Sequence, residues 1–156
     1  MPFAHVQDSI RIAAVNSARI LQESTFMQIA EKKIKEEFAK RAKNLQDISQ
    51  KLESMSSSLE KNSKSFPEKN IGKKKQSRYI EQLKSDFQIK QKKFYEDLNQ
   101  RRNEELIRIV DKINKVIKQI AEQQNYDLVV QEAVYADPRI DITDKVLKAL
   151  SLNEES

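Results

Sequence analysis

The side chains that carry most enzyme chemistry are scarce in this chain. There is no Cys, and the single His, His5, stands near the N-terminus, where chain ends are seldom well ordered. A Cys- or His-based nucleophile pair and a zinc site therefore have nothing to be built from. A phosphate-cradling loop needs two or three glycines at fixed spacing, and only Gly72 is present. Carboxylates are plentiful, but most alternate with Lys and Arg at helical spacing, the pattern of a solvated helix face. The sequence therefore offers no catalytic residue, no metal-ligating set and no cofactor site, and it reads as a non-enzyme.

What is concentrated is positive charge. Residues 30–120 carry 24 basic and 14 acidic side chains, net +10, whereas 121–156 carry 3 and 8, net −5. The densest cluster comprises Lys61, Lys64, Lys69, Lys73, Lys74, Lys75 and Arg78, with Phe66 and Tyr79 as the nearby aromatics. Such a surface attracts nucleic acid, anionic lipid or acidic polypeptide, or simply keeps an exposed turn soluble. Nucleic-acid readers add stacking aromatics or a helix placed in a groove, and neither pattern accompanies these lysines. Anionic lipid, acidic polypeptide and a merely solvated turn stay open, and Lys64, Phe66, Lys69, Lys73, Lys74, Lys75, Arg78 and Tyr79 are the candidate surface for such a partner.

The elements that must position these residues are mostly helical. With 34% charged and 38% hydrophobic residues, one Gly and three Pro, the chain lacks the turn residues of an all-β or doubly wound fold and suits long helices with one apolar stripe. From Phe26, apolar residues recur at three and four through Ala30, Ile34, Phe38, Leu45, Ile48, Leu52, Met55 and Leu59, with Arg41 interrupting a coiled-coil seam. Lys61 to Arg78, holding Pro67 and Gly72, reads as a turn. A second seam follows through Ile80, Leu83, Phe87, Phe94 and Leu98, resuming out of phase at Leu106, Ile109, Ile113, Val116 and Ile120. A helix from Ser77 to about Gln123 would extend roughly 70 Å.

Folded back antiparallel about Lys69-Asn70, the two seams oppose Leu52 to Phe87, Leu45 to Phe94, Phe38 to Arg101, Ala30 to Ile109 and Phe26 to Ile113. Arg41 comes level with Asp97. Strand material flanks this hairpin: Ile10 to Val15 before it, with Asn16-Ser17 capping a helix near Ala18, and Asp127 to Val130 and Ala133 to Ala136 after it. Thr143 is placed to cap a final amphipathic helix bearing Val146, Leu147 and Leu150. The expected organisation is a discontinuous body, 1–25 plus 121–156, and an α-hairpin arm, 26–120, with its tip at about 61–78. So few strands need association with copies of the chain to be stable, which nominates Ile12, Val15, Leu128, Val129 and Val130 as oligomerisation residues.

The order and spacing of these segments resemble the Skp/OmpH family. The resemblance is carried by IRIAAVNSARIL at Ile10–Leu21, EEFAKRAKNLQ at Glu36–Gln46, QRRNEE at Gln100–Glu105, DLVV at Asp127–Val130 and DITDKVLKAL at Asp141–Leu150. It implies a mainly α fold with a small β body and a coiled-coil arm, assembled as a jellyfish-like homotrimer. It also implies an ATP-independent holdase in the periplasm, in mature form with its signal peptide removed, holding unfolded outer-membrane proteins in a cavity between arms. Phe3-Ala4 before His5 fits the remnant of a small-residue cleavage site. Some members carry a lipopolysaccharide-binding set of one Lys and two adjacent Arg. Here Lys90 and Arg101 match, Gln100 departs from the pattern and Arg102 is displaced, so the alternative is that Arg101 lies on the seam with its guanidinium in water. Besides the holdase, a basic coiled-coil module for nucleic acid and a structural spacer remain as function classes; an anionic membrane surface is a further partner class.

Overall fold

The computed structural model describes residues 9–63 and 70–154. In chain order they form β1 (Ile12–Val15), α1 (Ser17–Glu23), α2 (Phe26–Ser63), α3 (Asn70–Gln123), β2 (Leu128–Gln131) and α4 (Thr143–Glu154). Lys64, Phe66, Pro67 and Lys69 lie outside the described residues, as do Phe3, Ala4 and His5. Two compact units result: the described parts of Met1–Glu31 with Glu104–Ser156, and of Lys32–Asn103.

The first unit is organised on a parallel pair, β1 with β2, in which Ile12, Ala13, Ala14 and Val15 face Leu128, Val129, Val130 and Gln131. The other edge of β1 is also occupied: the Ala14 amide donates to the Ile140 carbonyl at 2.8 Å, and the Ile142 amide to the Ala14 carbonyl at 2.9 Å. Ala133 to Ala136, expected as a strand, is therefore not one. Both edges of β1 are taken, Glu132 turns the chain into the left-handed region at φ 56°, and Pro138 follows. Val134 and Tyr135 are left exposed. The hydrophobic core lies beneath the pair and joins Ile20, Ile113, Ile142, Val146 and Leu150, each of which contributes about 1.5–3 kcal/mol on burial.

Helix ends are set by polar side chains. Asn16 caps α1, its Oδ1 accepting from the Arg19 amide at 3.0 Å. Between α1 and α2 the chain breaks at Ser24, which adopts an extended conformation while its amide still reaches the Ile20 carbonyl at 3.0 Å. Asn125, at φ 58°, closes α3 by supplying the left-handed residue usually given by Gly, and the Tyr126 amide bonds back to the Ala121 carbonyl at 2.9 Å. Thr143 opens α4 but does not cap it. The capping group is Asp141, whose Oδ1 accepts from the Thr143 amide at 2.9 Å and its hydroxyl at 2.5 Å, while Thr143 Oγ1 accepts from the Asn16 amide at 3.0 Å. The Thr143 side chain has a partner across the fold and is not available to its own helix.

The turn expected over 61–78 is shorter than the composition indicated. Residues 61–63 continue α2, and residues 70–78 already belong to α3. Lys and Gln are good helix formers, and one Gly in a first turn costs only about 1 kcal/mol. The expected centre at Lys69-Asn70 includes Lys69, which lies outside the described residues.

Candidate functional site

The second unit contains α2 and α3 side by side along their apolar seam. Each helix has a single neighbour, so the seam cannot be enclosed: Phe38, Leu45, Leu52, Phe87 and Phe94 are only half-buried, and among the described residues of this unit Ile34 alone is buried. Phe94 makes an edge-to-face contact with Phe38 at 5.6 Å and shares a cleft with Leu45, so it packs between them at the level of Arg41. Arg101 comes level with this end of α2, bonding to Glu37, the residue before Phe38.

Arg41 interrupts the seam without leaving a bare charge. Its guanidinium lies 5.4 Å from the Phe38 ring centre and 5.6 Å from that of Phe94, and it bridges to Asp97 at 3.0 Å, as the hairpin alignment anticipated. Asp97 also accepts from Lys93 at 3.0 Å. The Lys93 hydrogen bond, with Arg41 adding to it, holds the Asp97 carboxyl below its ordinary range. Toward the turn from Arg41, a cleft of about 620 Å³ opens between the helices, lined by Glu37, Lys40, Arg41, Asn44, Leu45, Ile89, Lys90, Lys93 and Phe94.

Of the residues singled out for a lipopolysaccharide-type ligand, only Lys90 lines the cleft directly; Arg101 and Arg102 do not. Arg101 meets Glu37 in a forked pair, Nε to Oε2 at 2.9 Å and Nη2 to Oε1 at 3.2 Å, so the expectation of a guanidinium in water is corrected.

Of the candidate polypeptide-binding cluster, Lys73, Lys74, Lys75, Arg78 and Tyr79 sit in the first turns of α3. The positive end of the helix dipole adds to the field of Lys73, which is nearest the helix start. Tyr79, 48% exposed, lies under the Lys51 ammonium at 5.8 Å from the ring centre. In the first unit, Val15 is buried in the core of its own chain, Val129 packs against that core, Val130 is half-buried, and Ile12 and Leu128 are exposed.

Sequence reading missed the polar ties of the first unit. Arg11 binds the end of α3 through the Gln124 carbonyl at 2.5 Å, covers the Tyr126 ring at 4.8 Å, and receives the Asp127 carboxylate on its amide at 2.8 Å. Arg19 joins Glu23 at 2.9 Å and Asp144 at 2.6 Å. Only the four-residue spacing of Arg19 and Glu23 was legible beforehand. Among the described residues no group of acidic or His side chains is arranged to hold a metal ion, and no helix is long and apolar enough to cross a membrane.

The model of the OmpH-like outer membrane protein family matches residues 11–150 of this chain. An uncharacterized protein of Aquifex aeolicus (strain VF5) is 31% identical over 149 residues, covering 94% of this chain and 90% of that one. The chaperone protein Skp of Yersinia enterocolitica is 30% identical over 140 residues, covering 88% and 84%. Among solved structures, an OmpH-like outer membrane chaperone of Caulobacter crescentus CB15 superposes with a TM-score of 0.79 over 92% of this chain and 85% of that one at 17% identity, a likeness of fold.

Proposed function

This chain belongs to the OmpH-like outer membrane protein family, and from that premise we propose that it is a holdase chaperone that takes up unfolded outer-membrane proteins without ATP. The observation that carries the reading is the seam of residues 32–103, whose apolar side chains stay half-exposed with Ile34 alone enclosed among the described residues. An unfolded client offers the apolar surface that this seam lacks. Binding the unfolded state more tightly than its folded or aggregated forms needs no chemical step. Many weak contacts on several copies of the chain would then act at high effective concentration.

The relatives named Skp support the chaperone class over a nucleic-acid module or a spacer. They also support placing the protein in the periplasm, where outer-membrane clients pass. We assign association to the first unit, through the exposed Ile12, Leu128, Val134 and Tyr135, and a homotrimer is the state expected. The test is dilution of a urea-unfolded outer-membrane barrel, with no nucleotide, followed by light scattering and sedimentation. Suppressed scattering with a defined complex of several chains per barrel is expected. Unchanged scattering at excess chaperone would overturn the assignment.

A further inference from the structure

The cleft beside Arg41 is a feature that the general holdase reading does not use. We propose that this cleft is a discrete anchor for an acidic–apolar segment of an unfolded polypeptide, seating one large apolar side chain with a carboxylate next to it. The proposal rests on the holdase reading and assigns it a local recognition chemistry.

The walls give the apolar half. Leu45 and Phe94 are half-buried and Ile89 is 66% exposed, and all three line the same opening of about 620 Å³. That volume lies in the range of pockets that enclose a ligand group, and α2 and α3 bring no further side chain to fill it. Arg41 occupies the seam position where an apolar residue would otherwise sit, and it is held aside by Asp97 and the rings of Phe38 and Phe94.

The rim gives the charged half. The cleft has four cations, Lys40, Arg41, Lys90 and Lys93, and one carboxylate, Glu37. Arg41 and Lys93 are committed to Asp97, and Glu37 to Arg101. Lys40 and Lys90 are exposed and have no hydrogen-bond or ion-pair partner among the described residues. Two ammonium groups over an apolar floor complement a carboxylate flanked by an apolar side chain. Asn44, on the same wall, can both donate to and accept from a peptide group, whereas a lipid tail offers neither partner. A peptide therefore uses more of the lining than an anionic amphiphile does.

The test titrates the full-length protein with a soluble Gly/Ser/Asn host peptide carrying a single Phe-Ser-Asp core, read by amide chemical shifts. Shifts centred on residues 40–45 and 89–94 are expected. Replacing the Phe by Ala, or the Asp by Lys, should weaken binding at least about fivefold each. The double variant Lys40→Glu, Lys90→Glu should weaken it about five- to tenfold, the effect of two partly exposed charge contacts. Ile89→Ser, at an exposed position, probes the apolar wall without asking the core to repack. Lys115→Glu with Lys118→Glu, in the first unit, should leave peptide affinity unchanged.

Shifts that spread evenly along α2 and α3, or indifference to the Lys40 and Lys90 reversal, would overturn the anchor. So would vesicles of phosphatidylglycerol shifting the same amides when the peptide does not; the site would then belong to a lipid. Barrel aggregation measured on the same samples separates the two levels. Suppressed aggregation without localised peptide shifts removes the anchor and leaves the holdase, whereas unsuppressed aggregation removes the holdase whatever the peptide does.

Discussion

Asp141 carries more of the first unit than its place in a loop implies. Its carboxylate caps α4 through Thr143, and Thr143 in turn satisfies the Asn16 amide at the start of α1. The Thr143 hydroxyl and amide bonds hold the Asp141 carboxyl below its ordinary value. A depressed carboxyl stabilises the fold above its unfolded-state pKa, about 3.9, and the contribution is lost as pH falls through the lower folded value. Asp141→Ala is expected to cost about 1 kcal/mol at neutral pH, the usual worth of a cap. In urea melts the gap between wild type and variant should hold constant above about pH 5 and close below the folded pKa. A gap independent of pH down to acid unfolding would show that the cap works without its charge.

The long helices differ in what holds each stretch of them. Where α2 and α3 pass through the first unit, Ala30, Ile109, Ile113, Val116 and Ile117 are buried in a shared core; in the second unit the same two helices have only each other. Amide hydrogen exchange should therefore be slower over residues 109–117 than over 80–98, since local opening is easier where few apolar contacts are lost. Equal protection would mean that the seam is stiffer than its burial allows. Gly72 bears on the same helix near its start. A Cβ there meets no atom within 4 Å, so Gly72→Ala should stabilise the first turns of α3 by about 0.5–1 kcal/mol, chiefly through the entropy of the unfolded chain. Helicity by circular dichroism should rise slightly, and a fall would point to a close contact across the turn.

At the scale of the whole molecule, positive charge is dense in the first turns of α3 while half-exposed apolar side chains run along the seam, and the two should govern different steps. Reversing Lys73, Lys74, Lys75 and Arg78 to Glu should slow capture of an acidic unfolded barrel at low salt. The effect should shrink at high salt, because exposed charges are screened over about 8 Å at physiological ionic strength. Release should change less, since distributed apolar contacts are not screened. Identical capture rates at low salt would leave these four cations a solvated helix start. Assembly belongs to other residues. Leu128→Glu, at an exposed position, should weaken association measured by sedimentation while leaving the chain folded, because the new charge would have to be desolvated in an interface. Replacing residues 63–75, the connection with the helix ends beside it, by a short turn should leave association intact, and loss of the oligomer in that variant alone would place the interface at the turn.

Composition and periodicity by themselves determined the helical class, the two seams and the pairing of chain ends. These follow from residue type at regular spacing, which local physics reads directly. The Arg41–Asp97 bridge was legible for the same reason, as the antiparallel alignment of the seams brings the two positions level. Tertiary structure decided what depends on neighbours distant in sequence. Ala133–Ala136 has strand-like residues but no free edge of β1 to join, since Ile140 and Ile142 hold it. Thr143 has a capping hydroxyl, but Asn16 claims it. Phe94 could pack against either neighbour on α2, and the fold sets it edge-on to Phe38 with the Arg41 guanidinium over both rings and the cleft open beside it. In each case several local solutions were nearly equal, and competition for one hydrogen-bond edge or one packing volume chose among them.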